Sequence, residues 1–251
     1  MSQLFKRLGI HYKRGRDHVH SPDPHYSIKL DYLKDLQQHV EGSGGREVLL
    51  YLDEVTYYRQ PSLSYGYEEA GEARPVAERS HASNTSTRIV ATLDAASGRV
   101  LFQSGSKVGI KQLVTFYQQL HADYPQAERL WVVQDNWPIH FHPDVLVALQ
   151  AQLSPFPFPR PPSWPTAPSP RAVSQWGGWQ LPIQLVVLPT YASWLNPIEK
   201  LWRWLKQDVL HLHRQADDLQ ALRGLVAEFL QQFAAGSSAL LRYEWLSKCR
   251  I

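Results

Sequence analysis

The chain has 251 residues, 43% of them hydrophobic, and 26 basic residues against 23 acidic ones for a formal net charge of +3. That supplies a substantial globular core without staples, and the basic excess is too small to mark a nucleic-acid binder by composition alone. Cys249 is the single cysteine, which excludes a disulfide framework and a cysteine zinc site; no run reaches the roughly 20 apolar residues of a membrane helix, and no signal-peptide core opens the chain.

The first elements follow from charge and periodicity. Lys6, Arg7, Lys13, Arg14 and Arg16 face one acid, Asp17, in the opening stretch, with His11, His18 and His20 nearby. This run reads either as a basic arm along phosphates or as a solvated tail. Ile28, Leu30, Tyr32, Leu33 and Leu36 recur at helical spacing, and GSGG at 42–45 ends that helix. Residues 1–41 are therefore expected to form a basic arm and linker helix, and 42–251 the main domain.

REVLLYLDEVTYY predicts a buried strand, and TRIVATLDAASGRVLFQSGS two strands about a turn. IKQLVTFYQQLHADYP predicts an amphipathic helix stopped by Pro125, RLWVVQDN a short strand, and HPDVLVALQAQL a helix. Between Ser154 and Pro182 fall nine of the chain's 18 prolines, so neither regular helix nor strand is expected across this insert, 153–182. IQLVVLPT predicts the last strand. A long helix follows over LNPIEKLWRWLK, then a final one with Leu219, Leu222, Leu225, Val226 and Phe229 on one side. Hairpin strands followed by strands alternating with helices imply a mixed sheet covered by helices.

Three acids stand out. Asp53 ends VLLYLD and Asp135 ends LWVVQD, where strands are expected to leave the sheet. If those strands are parallel neighbours, the two carboxylates converge, and a divalent cation offsets their repulsion. Asp at a strand end is also an ordinary turn residue. Glu54 should point to the opposite face, which makes it a poorer ligand. Asn196-Pro197-Ile198-Glu199 fits a capping box, with Asn196 as N-cap and Glu199 at N3. Arg203 and Lys206 follow on the same helix face, where Arg203 can pair with Glu199 or sit with it near phosphate. The spacing of His142, His211 and His213 is not that of a zinc ligand set.

YLDE, VVQDNWPIHFH and LPTYASWLNPIEKLWRWLK together resemble the DDE transposases of the mariner superfamily, most closely the bacterial insertion-sequence 630 branch. The matching positions are Asp53; Asp135, Asn136 and His140; and Leu188, Pro189, Tyr191, Leu195, Asn196, Pro197, Ile198, Glu199, Trp202 and Lys206. The resemblance implies a ribonuclease H-like α/β fold: a mixed five-stranded sheet flanked by helices, here with a proline-rich insert before the last strand. It implies that Asp53, Asp135 and Glu199 bind Mg2+ or Mn2+, two ions during catalysis. Asn136, His140 and Asn196 support that site. The implied function is cleavage at transposon ends and transfer of the 3′-hydroxyl to target DNA by two-metal phosphoryl transfer. The alternatives are an inactive or domesticated DNA-binding relative, or a plain metal-dependent nuclease of the same fold.

The implied partner is double-stranded DNA, as transposon ends and target, contacted by Lys6, Arg7, Lys13, Arg14, Arg16, Arg203 and Lys206. A second copy of the chain is a further partner, with no membrane, in a bacterial cytoplasm. Two departures from the family pattern bear on this. Asp135 and Glu199 stand about twice as far apart as the family's second Asp and Glu, because of the insert; Trp164, Trp176 and Trp179 within it serve either base stacking or protein packing. The helix-turn-helix modules that read terminal repeats are not in this sequence, so either it is a part or a separate helix-turn-helix polypeptide supplies the reader.

Overall fold

The computed structural model describes Arg7 and residues 20–71, 73–150, 155–158 and 160–242. Of the basic arm, Arg7 is exposed, whereas Lys6, Lys13, Arg14 and Arg16 lie outside the described residues. The elements in chain order are α1 (Tyr26–Gly42), β1 (Glu47–Tyr58), β2 (Ser86–Asp94), β3 (Val100–Gly105), α2 (Ile110–Asp123), β4 (Arg129–Gln134), a 3-10 turn (Pro138–Phe141), α3 (Pro143–Leu146), α4 (Pro170–Trp176), β5 (Ile183–Val187), α5 (Glu199–Leu205) and α6 (Leu219–Gln231).

One five-stranded sheet runs β3-β2-β1-β4-β5. β1, β2 and β3 are antiparallel, whereas β1, β4 and β5 are parallel. The period of two along β1 divides the core. Leu49, Tyr51, Val55 and Tyr57 face α1, α5 and α6; Leu50 and Leu52 face α2. Both faces are covered, so the central strands read as continuous apolar runs.

Several expectations need correction. β1 does not end at Asp53 but pairs with β2 as far as Tyr58↔Ser86; it is the parallel pairing with β4 that stops, at Tyr51↔Val133. Asp53 therefore sits mid-strand, just where β1 loses its parallel neighbour. Among the described residues of the helix predicted over 142–153, only α3 is helical, and the long helix after Asn196 is the seven-residue α5 continued by a π turn, Lys206–Leu210. His211 and His213 lie beyond that turn, not on a helix; His211 Nδ1 contacts Ser62 Oγ at 2.8 Å and His213 Nδ1 accepts the Gln215 N–H. On α6 the buried side is Leu222, Val226, Phe229 and Leu230, while Leu225 is exposed.

The insert is more ordered than its prolines suggested. Pro170 stands at the first turn of α4, where its missing N–H costs nothing, and Ser169 caps the helix by accepting the Ala172 N–H. The excursion leaves and returns at one point: Gln150 N–H bonds Leu181 O, and Leu181 N–H bonds Ala148 O, both at 2.9 Å. Trp176 is buried in the α2-side core, Trp179 packs against it, and Phe158 stacks on Phe141 with centroids 4.6 Å apart. Asp144 at the start of α3 takes the Ser169 N–H and Oγ–H, tying the insert to the body. Trp164 leans on His142.

Candidate active site

Asp53, Asp135 and Glu199 reach one region from three segments: mid-β1, the residue after β4, and the first turn of α5. Their electrostatic coupling registers this proximity. Burial pushes the Asp53 carboxyl well above its ordinary range, and Glu199 and Glu54 push it further, against hydrogen bonds from the Glu54 backbone and the Trp202 indole. Burial also raises Glu199; Lys206 and Arg203 pull it down and Asp135 pushes it up. Asp135 is the open member, its side chain 57% exposed and one oxygen accepting the Trp137 N–H.

Asp53 is held by a neighbouring side chain, and the backbone beside Asp53 and Asp135 is tied to distant segments. Trp202 Nε1 donates to Asp53 Oδ2 at 2.9 Å, a role the motif match at Trp202 did not specify. Asn136 Nδ2 donates to Leu188 O and Thr190 Oγ1, binding the chain beside Asp135 to the segment after β5. Thr190 had no sequence signal. Asn196 Nδ2 donates to Leu52 O, beside Asp53, from 144 residues away, and its Oδ1 takes the Ile198 N–H.

The predicted capping box is therefore not formed. The Asn196 N–H goes to Ser193 O rather than to Glu199, which lines an open cleft. Among the described residues no ion pair within 4 Å joins Glu199 to Arg203. Instead Glu199, Trp202, Arg203 and Lys206 line one open cleft of about 360 Å³ with Ser193 and Trp194.

His140 is fully buried, with Nε2 3.3 Å from Glu54 Oε1 and 3.9 Å from Asp135 Oδ1. It thus stands behind Asp135 with Glu54, which lies on the opposite sheet face from Asp53 as expected. Neither ring nitrogen has a hydrogen-bond partner among the described residues, nor does Glu54 Oε1.

Among the described residues no three or more His, Cys, Asp or Glu side chains form a group that could hold a metal ion as they stand. The donor chemistry nevertheless fits a hard divalent cation. Asp53, Asp135 and Glu199 offer carboxylate oxygens only, and they repel one another in the absence of a positive charge.

The sequence matches the family described as DDE superfamily endonuclease over residues 48–223, and the chain belongs to that family. It is 19% identical over 236 residues to the protein of Shigella sonnei named "Insertion element IS630 uncharacterized 39 kDa protein", covering 93% of this chain and 59% of that protein. Among solved structures it resembles the Mos1 transposase paired-end complex with left transposon end, at TM-score 0.59 and 15% identity over 99% of this chain and 66% of that one. It also resembles the mariner Mos1 paired-end complex with Mg, at TM-score 0.59, 14% identity and 68% of that chain. The sheet and its flanking helices are thus the ribonuclease H-like fold. The chain spans about three-fifths of the length of its IS630 relative. Among the described residues no helix is long and apolar enough to cross a membrane.

Proposed function

We propose that this chain is the catalytic part of a transposase, cutting DNA at transposon ends and joining the freed 3′-hydroxyl to target DNA. The observation that supports this reading is the placement of the three acids: Asp53 on β1 where its parallel pairing with β4 ends, Asp135 just after β4, and Glu199 at the first turn of α5 in the cleft with Arg203 and Lys206. Asp53, Asp135 and Glu199 would hold the cations. When bound, two Mg2+ or Mn2+ ions activate the attacking oxygen and stabilise the leaving one.

The protein's own work is positioning and charge placement. Trp202 fixes the rotamer of Asp53 through its indole N–H. Asn136 and Asn196 hold the chain beside Asp135 and Asp53, so that the acids meet without a common local scaffold. Arg203 and Lys206 line the cleft beside Glu199, where phosphate oxygens of the DNA strand would lie. Recognition of the terminal repeat by a separate helix-turn-helix polypeptide, and pairing of two copies of the chain, belong to the same proposal.

The test supplies Mg2+ or Mn2+ and pre-nicked or pre-cut end DNA to the wild type and to Asp135→Asn. Cation-dependent joining of a 3′ end by the wild type alone supports the proposal. Cleavage without joining would make the chain a nuclease, and inactivity of both proteins with retained DNA binding would make it a binding relative.

A further inference from the structure

We infer that Asp23 is a positioning residue for the cation site, acting through Thr190 to fix the segment that joins β5 to α5. This inference rests on the proposed metal-dependent function. Asp23 lies just before α1, outside the three motif segments. Its side chain is 4% exposed and takes the Lys29 ammonium on Oδ2 at 2.7 Å. The same oxygen accepts the Thr190 N–H at 2.9 Å and lies 3.4 Å from Thr190 Oγ1. Oδ1 accepts the His25 N–H at 2.9 Å, and Ser21 Oγ donates to Thr190 O at 2.5 Å.

Thr190 is the hub of a longer chain of contacts. Its Oγ1 accepts from Asn136, the residue after Asp135. The next residue, Tyr191, has φ +54, a left-handed conformation that a tyrosine holds only when its neighbours impose it. Tyr191 is also 77% exposed, so its own side chain does not supply the restraint. The segment then runs to Asn196, which bonds Leu52 beside Asp53, and to Glu199. One connection of about ten residues thus touches the neighbourhoods of all three acids, and Asp23 anchors its start.

A buried ion pair contributes little net stability compared with an apolar pair in the same space. What it supplies is direction: one carboxylate with several convergent donors admits a single placement of Thr190. Burial works against the charge of Asp23, but Lys29 and the Thr190 and His25 N–H groups outweigh it and hold the carboxyl at about 2, so it stays ionised at neutral pH.

The test follows Mn2+ dependence in the full chain by two readouts, thermal stabilisation and processing of pre-nicked end DNA. Asp23→Ala paired with Lys29→Met removes the clamp without leaving an unpaired buried ammonium. The Mn2+ midpoint of this double variant should rise by about tenfold or more in both readouts, as for other outer-sphere ligand supports. Thr190→Val should act likewise, and Thr190→Ser, which keeps the hydroxyl, should restore the wild-type midpoint. A folded double variant with the wild-type midpoint would overturn the inference. So would a Thr190→Val midpoint equal to that of Thr190→Ser. If the wild type shows no Mn2+ response at all, the metal-dependent reading falls, and this inference with it.

Discussion

Asp53→Asn separates what this side chain costs the fold from what it contributes to chemistry. In the metal-free chain the Asp53 carboxyl is raised well above 3.8 by burial, by Glu199 and by Glu54. The folded state therefore holds its proton more tightly than the unfolded state. Below the unfolded value both states are protonated and nothing is lost; as pH rises through the folded value, stability falls, and above it the loss is constant. Each unit of that rise costs about 1.4 kcal/mol. In a domain of this size, that is roughly 3–5 °C of melting temperature per unit.

Asparagine has nearly the same shape and still offers an oxygen to the Trp202 indole. In chelator at about pH 7 the variant should melt higher than the wild type, and the gap should close at about pH 4, where aspartate is protonated. With saturating Mn2+ the order should reverse, since binding at a hundred times Kd adds about 2.7 kcal/mol to the wild type. Melting curves with and without chelator at both pH values decide the matter. A variant that melts below the wild type in chelator at neutral pH, or a gap indifferent to pH, would refute this account of the site's electrostatics.

Trp202→Phe keeps the aromatic bulk but deletes the bond to Asp53 Oδ2, a charge-assisted contact worth about 1.5–3 kcal/mol; cation titrations of thermal stability should show a weakened Mn2+ site. Asp144→Ala removes the acceptor of both Ser169 bonds, a loss of about 1–3 kcal/mol, and limited proteolysis should then cut the insert faster. Asp23 has a folded value of about 2, below the ordinary 3.8, so its stabilisation is complete above the ordinary value and is lost as pH falls through the folded one. Acid unfolding of Asp23→Asn should lack that component of the transition.

The parts of the fold written in local pattern were legible. The apolar runs before Asp53 and Asp135 mark central strands covered on both faces, and the amphipathic α2 and α6 follow from helical spacing. What was not legible depends on partners distant in sequence. Asn196 satisfies every local rule for an N-cap and its Oδ1 does take the Ile198 N–H, yet its Nδ2 serves Leu52 across 144 residues, and the box it was expected to close with Glu199 stays open. Asp23 and Thr190 are 167 residues apart, and neither sits in a pattern that announces the other. Proline content led to the expectation of no regular helix in the insert, yet Ser169-Pro170 starts one whose Trp176 completes a core, because proline is tolerated at a helix's first turn. The run REVLLYLDEVTYY foretold the full length of β1, but not that β4 departs at Tyr51 while antiparallel pairing with β2 continues past Asp53.

The stem at Gln150 and Leu181 bears on how relatives of this chain are found. A detour whose two ends are hydrogen-bonded neighbours can lengthen or shrink without moving either strand it separates. The tally of residues between the second aspartate and the glutamate is then a poor yardstick of kinship, and a search keyed to that interval would pass over chains built like this one. Matching the flanking pieces separately, VVQDN on one side and LNPIE on the other, would recover them.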